Sequence, residues 1–92
     1  DVRPAADFNG EWGHIPGARS LPLEELPGRL GKLERDAPVR LVCRTDRRSA
    51  AAAALLAKAS FADARVIQGG MTAWRARGWP VELAWHESAM LR

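Results

Sequence analysis

Ninety-two residues, 47% apolar and 27% charged, describe one compact domain with a single core. No apolar run approaches the roughly 18 residues of a membrane span, and one cysteine with two histidines excludes an internal disulfide and a structural zinc site. The net charge of +3 is diffuse, acids lie scattered among the bases and tyrosine is absent, so no nucleic-acid partner is expected.

The first 20 residues are punctuated by Pro4, Gly10, Gly13, Pro16 and Gly17 and read as loop. Ala18 to Leu21 is expected to form a short strand. Leu23, Leu26, Leu30 and Leu33 then recur at steps of three and four, a helical face, with Pro27 and Gly28 predicting two short pieces or a kink. After Pro38, the run Val39-Arg-Leu-Val-Cys43 is short and rich in branched residues and reads as a buried strand. Arg44 to Arg48 has no apolar member and reads as a turn. Ser49 is placed as the N-cap of a helix whose Ala52, Leu55, Leu56 and Ala59 share one face. Ala64 to Ile67 is a second strand, Gly69-Gly70 a break, and Met71 to Arg77 a short helix stopped by Gly78. Trp79-Pro-Val81 runs extended from it.

Strands and helices thus alternate with short connections, which predicts an α/β domain built on a parallel sheet. Ligands of such sheets gather at the carboxyl ends of the strands, and Cys43 lies at such an end. Amide groups of the following turn and first helical turn form an anion-binding nest, and the helix dipole adds roughly half a positive charge. Arg44, Arg47 and Arg48 add further positive potential, an environment that favours thiolate over thiol. A lone cysteine also serves simply to fill a core, and composition alone leaves that plainer role open.

Four segments occur in order at suitable spacings: Asp1-Val-Arg3, Gly13-His-Ile-Pro-Gly-Ala18, Cys43-Arg-Thr-Asp-Arg-Arg-Ser-Ala50 and Gly69-Gly-Met-Thr-Ala-Trp74. Together they resemble a single rhodanese homology domain, from Asp1 to about Val81. The resemblance implies a central parallel sheet flanked by helices, and sulfurtransferase chemistry through a Cys43 persulfide. Cys43 would take sulfur from a small thiosulfate-like anion or a persulfide, and cyanide, a thiol or a protein persulfide acceptor would remove it. Arg44, Thr45, Asp46, Arg47, Arg48 and Ser49 would form the substrate-binding loop, with Arg48 closing it before the helix. Neither cofactor nor metal is implied, and neither nucleic acid nor membrane is expected as a partner. The cysteine usage and the lack of a secretory signal pattern place the expected location in the cytoplasm.

The sequence departs from the family pattern at two points. Asp46 stands where the family commonly has Gly; two effects are open, strain if φ is positive and a carboxylate opposing anionic donors, the latter favoured and subject to neutralisation by Arg47 or Arg48. The helix and strand that usually precede the Asp-Val-Arg motif do not precede Asp1, so residues 1–92 are expected to be one N-terminally short domain with a tail over about 82–92. Of the remaining family positions, Phe8 reads as core, His14 as a hydrogen-bonded scaffold residue, and Trp74 as core or a pocket wall.

Three other readings compete. A phosphatase or arsenate reductase needs five residues between cysteine and arginine, and only four separate Cys43 from Arg48. A non-catalytic docking module on the same fold would tolerate loss of the cysteine, which this chain keeps. A sulfur-relay partner of a larger protein would share the chemistry and differ in the acceptor.

Overall fold

The computed structural model describes residues 1–83. Strands β1 (Val39–Leu41) and β2 (Ala64–Val66) pair in parallel, Val39 opposite Ala64 and Leu41 opposite Val66. Two further segments lie hydrogen-bonded in turn beside the end of β1 without joining the two-stranded sheet. The Val2 N–H donates to Val42 O at 2.9 Å, and the Leu21 and Leu23 N–H groups donate to Asp1 O and Val2 O at 2.9 and 3.1 Å. The strand expected over Ala18–Leu21 is therefore not formed as a strand. Its pairing advances two residues against one on the neighbouring segment, and Pro22 has no N–H to offer a ladder.

Helix α1 (Ala5–Phe8) is one turn inside the stretch expected to be loop, closed by the Asp7 and Phe8 N–H groups on Pro4 O. The leucine-rich segment is one continuous 3-10 helix, Leu23–Lys32, rather than two pieces or a kink at Pro27. Its three-residue turn stacks Leu23 over Leu26 toward the core, and Pro27 lies on the exposed side.

Helix α2 (Arg47–Lys58) connects the two strands and packs against both of them and against the 3-10 helix. It begins two residues before the expected cap: Asp46 occupies the N-cap position and Ser49 lies within the first turn. Helix α3 (Gly70–Ala76) starts one residue early, behind a left-handed Gly69, and Gly78 with φ +70° follows its end as predicted. The core comprises Val2, Leu26, Leu41, Cys43, Ala52, Leu56 and Phe61. Leu56 is fully buried, so truncating it to Ala would cost about 2–5 kcal/mol.

Beyond α3, Glu82 exchanges backbone bonds with His14, at 2.9 and 2.7 Å, in an antiparallel bridge. Its Oε1 accepts the Gly17 N–H at 2.9 Å. Glu82 is thus tied to the loop at His14, and residues 84–92 of the expected tail lie outside the described residues. A Cβ at Gly13 would fall 2.5 Å from Glu82 O, so only glycine fits beneath this bridge.

Candidate active site

Two more backbone bonds bring α3 up to the end of β1: Met71 N–H to Cys43 O at 2.8 Å and Thr72 N–H to Arg44 O at 3.0 Å. Gly70 sits under the loop with φ +57°, where a Cβ would collide with the carbonyl oxygens of Cys43 and Thr45. The Gly69-Gly70 break is thus the seat of the Cys43 loop. Its sequence signal is read correctly as a turn, but the contact becomes visible only in three dimensions.

Cys43 is free and 2% exposed, part of the core and at the same time the first residue of the loop. The core-filling role left open by composition is therefore present at this position. Its Sγ receives the Ser49 N–H at 3.4 Å and lies 3.3 Å from Ser49 Oγ, which also donates to Asp46 O at 3.2 Å. Ser49 is therefore not a helix cap. One helical turn carries its side chain back over the sulfur, because α2 starts at Arg47. Among the described residues, the N–H groups of Arg44, Thr45, Asp46, Arg47 and Arg48 find no protein acceptor. Five consecutive unclaimed amides with a helix start are the ingredients of an anion nest.

Arg44, Thr45, Asp46 and Arg47 are exposed and Arg48 is half-buried. Arg48 lies inside the first turn of α2, so it does not close the loop ahead of the helix. Asp46 has φ −127°, an ordinary value, and the strain left open on replacing glycine is absent. Neither Arg47 nor Arg48 pairs with it among the described residues. Instead Asp46 Oδ1 accepts the Gly69 N–H at 2.7 Å, tying the Cys43 loop to the turn before α3.

Asp1 and Arg3 form a buried bidentate pair, Nε to Oδ1 at 2.9 Å and Nη2 to Oδ2 at 2.7 Å, with side chains 0% and 3% exposed. Arg3 Nη2 also donates to Gly13 O at 2.8 Å, which fixes the first segment to the loop that follows. Burial pulls the Arg3 guanidinium below its ordinary range, while Asp7 and Cys43 act in the opposite direction. Phe8 and His14 stack with centroids 3.8 Å apart, and His14 Nδ1 lies 3.1 Å from Phe8 O, the scaffold role expected of it. Trp74 is half-buried, meets Trp79 edge-on at 4.8 Å and donates to Pro80 O at 2.8 Å.

Beside the loop opens a cleft of about 310 Å³ lined by Arg3, Asp7, Glu11, Trp12 and Arg44. Arg44 and Arg75 each place a guanidinium within 5.3 Å of the Trp12 ring centroid. Trp12 and Glu11 carry no sequence signal beyond an aromatic and an acid in a glycine-punctuated loop. Trp74, suggested as a pocket wall, does not line this cleft.

The domain thus combines a parallel α/β sheet with a buried cysteine just past a strand end, followed by a loop and a helix start. The family is identified directly: residues 1–77 match the rhodanese-like domain, and the chain belongs to that family. Solved structures agree. The Rhodanese_3-like domain of the Anabaena protein Alr3790 is 32% identical with a TM-score of 0.80, covering 94% of this chain and 90% of that one. A rhodanese-related protein of Thermoplasma volcanium has the same TM-score of 0.80 and identity of 32%, over 89% and 79% of the two chains.

Among curated proteins, the chain is 37% identical over 84 residues to a thiosulfate sulfurtransferase GlpE of Pseudomonas putida, covering 91% of this chain and 74% of that protein. It is 32% identical over 81 residues to a sulfurtransferase of Allochromatium vinosum, covering 88% and 74%. Against the Bacillus subtilis protein YqhL it is 39% identical over 74 residues, and it spans 57% of that relative's length. The family is thus one that includes sulfurtransferases. No helix among the described residues is long and apolar enough to cross a membrane.

Proposed function

We propose that this domain is a rhodanese-type sulfurtransferase that carries sulfane sulfur as a Cys43 persulfide. The reading rests on one observation: Cys43 Sγ sits beneath Ser49 at the root of five consecutive amides with no acceptor among the described residues. In the first half-reaction the Cys43 thiolate attacks the outer sulfur of a donor such as thiosulfate. An Sγ–S bond forms, the donor S–S bond breaks, and sulfite departs with the electron pair. The persulfide anion is then held by loop amides, as an oxyanion is held in acyl transfer. In the second half-reaction an acceptor nucleophile forms its bond to the outer sulfur, and the pair of the broken Sγ–S bond returns to Cys43.

Arg44, Arg47 and Arg48 supply positive potential for the incoming anion, Thr45 and Asp46 shape the loop, and Ser49 donates toward Sγ. The residues present call for no cofactor and no metal, since both half-reactions are displacements at sulfur. Initial rates of thiocyanate formation at varied thiosulfate and cyanide test the proposal. Parallel double-reciprocal lines with complete loss in Cys43→Ser are expected. Activity that persists in Cys43→Ser would overturn it.

A further inference from the structure

We propose that the cleft beside the Cys43 loop selects a small zwitterionic aminothiol, carrying one ammonium and one carboxylate, as the sulfur acceptor. The inference rests on the sulfur-transfer reading and adds to it the class of acceptor. The cleft is lined by both signs of charge, Arg3 and Arg44 with Asp7 and Glu11. Among the described residues, Asp7, Glu11 and Arg44 form no ion pair, so these three keep their charges free in one cavity, while Arg3 is paired with Asp1.

Arg3 strengthens the argument because it is buried and already oriented. Its Nε and Nη2 are committed to Asp1 and Gly13 O, and Nη1 is left with no partner among the described residues. A guanidinium fixed on two nitrogens presents its third at little entropic cost. Arg44, spread over Trp12, is the second cation, and it follows Cys43 directly in the chain, so the cleft adjoins the loop that begins at Cys43.

A dianion placed here gains Arg3 and Arg44 but faces two carboxylates. A cationic thiol meets the reverse conflict, and an uncharged thiol uses neither wall. A molecule with a carboxylate for the arginines and an ammonium for Asp7 and Glu11 satisfies both. At about 310 Å³ the cleft lies at the small end of ligand pockets, a fit for an amino-acid thiol. In the transfer itself the acceptor thiolate forms a bond to the outer sulfur of the Cys43 persulfide. The Sγ–S bond breaks toward Cys43, so one thiolate and one persulfide anion replace another pair of the same charge.

The test compares the rate of persulfide discharge by cysteine, cysteamine, 3-mercaptopropionate and 2-mercaptoethanol, each referred to its thiolate concentration. The readout is the ratio of cysteine to 2-mercaptoethanol within one protein, which cancels any change at the sulfur. In Asp7→Asn/Glu11→Gln this ratio should fall about tenfold or more, and the preference should pass to 3-mercaptopropionate. An unchanged ratio would overturn the proposal. S-methylcysteine, which cannot accept sulfur, supplies an arm independent of the chemistry. It should shift the Trp12 indole N–H resonance saturably in the wild type and not in the double variant. No shift in the wild type would overturn the cleft assignment. Binding without any persulfide formation would leave the cleft standing and sink the sulfurtransferase reading instead.

Discussion

Replacing Asp46 probes both the loop's architecture and its electrostatics, and two variants separate them. Asp46 Oδ1 accepts the Gly69 N–H at 2.7 Å, a charge-assisted bond between the Cys43 loop and the turn before α3. Bonds to charged groups contribute about 1.5–3 kcal/mol, and the exposure of Asp46 reduces this one to about 1 kcal/mol. Asp46→Ala should therefore lower stability by about 1 kcal/mol, a fall in Tm of about 4–8 °C for a domain of this size. Asp46→Asn keeps an oxygen for Gly69 and should stay within about 0.5 kcal/mol of wild type. The Asn variant also removes a negative charge. At a separation on the order of 8 Å in high dielectric, a dianion gains about 1 kcal/mol from that removal, cut to about 0.4 kcal/mol by physiological salt. The thiosulfate KM of Asp46→Asn should thus fall about fivefold at low ionic strength and about twofold near 0.15 M. Thermal unfolding and initial rates at two salt concentrations measure both effects. Equal stability in Ala and wild type, or a KM gain in Asn that ignores salt, would refute the reasoning.

Three further substitutions test the framework. Gly70→Ala forces a Cβ against the Cys43 and Thr45 carbonyls at φ +57° and should cost about 2–4 kcal/mol, whereas Gly28→Ala, which meets open space, should stay within about 0.5 kcal/mol by denaturant unfolding. Arg3→Met leaves the buried Asp1 carboxylate without its bidentate partner and should destabilise the domain by about 3–5 kcal/mol, read as a lowered urea midpoint. Ser49→Ala removes the hydroxyl 3.3 Å from Sγ and should slow sulfur loading about tenfold while circular dichroism stays unchanged.

Elements defined by burial were legible in the sequence, and those defined by pairing were less so. β1 and α2 follow from a branched apolar run and an apolar face at helical spacing, and both form where expected to within three residues. The 3-10 helix escaped because Leu23, Leu26, Leu30 and Leu33 fit a three-residue repeat almost as well as a 3.6-residue one. Of the two effects open at Asp46, the ordinary φ removes strain, and the bond from Gly69 N–H to its carboxylate carries no sequence signal because it spans 23 residues. The cysteine and its loop were legible because one turn concentrates charge beside a strand end. Trp12 and Glu11 were not, because the cleft is assembled from a loop distant in sequence from Cys43.

The central claim, that Cys43 carries the transferred sulfur, is tested most directly by intact-mass spectrometry after incubation with thiosulfate. The wild-type chain should gain the mass of one sulfur atom, cyanide should remove it, and Cys43→Ser should gain nothing. An unmodified wild-type chain, or the same gain in Cys43→Ser, would contradict the account.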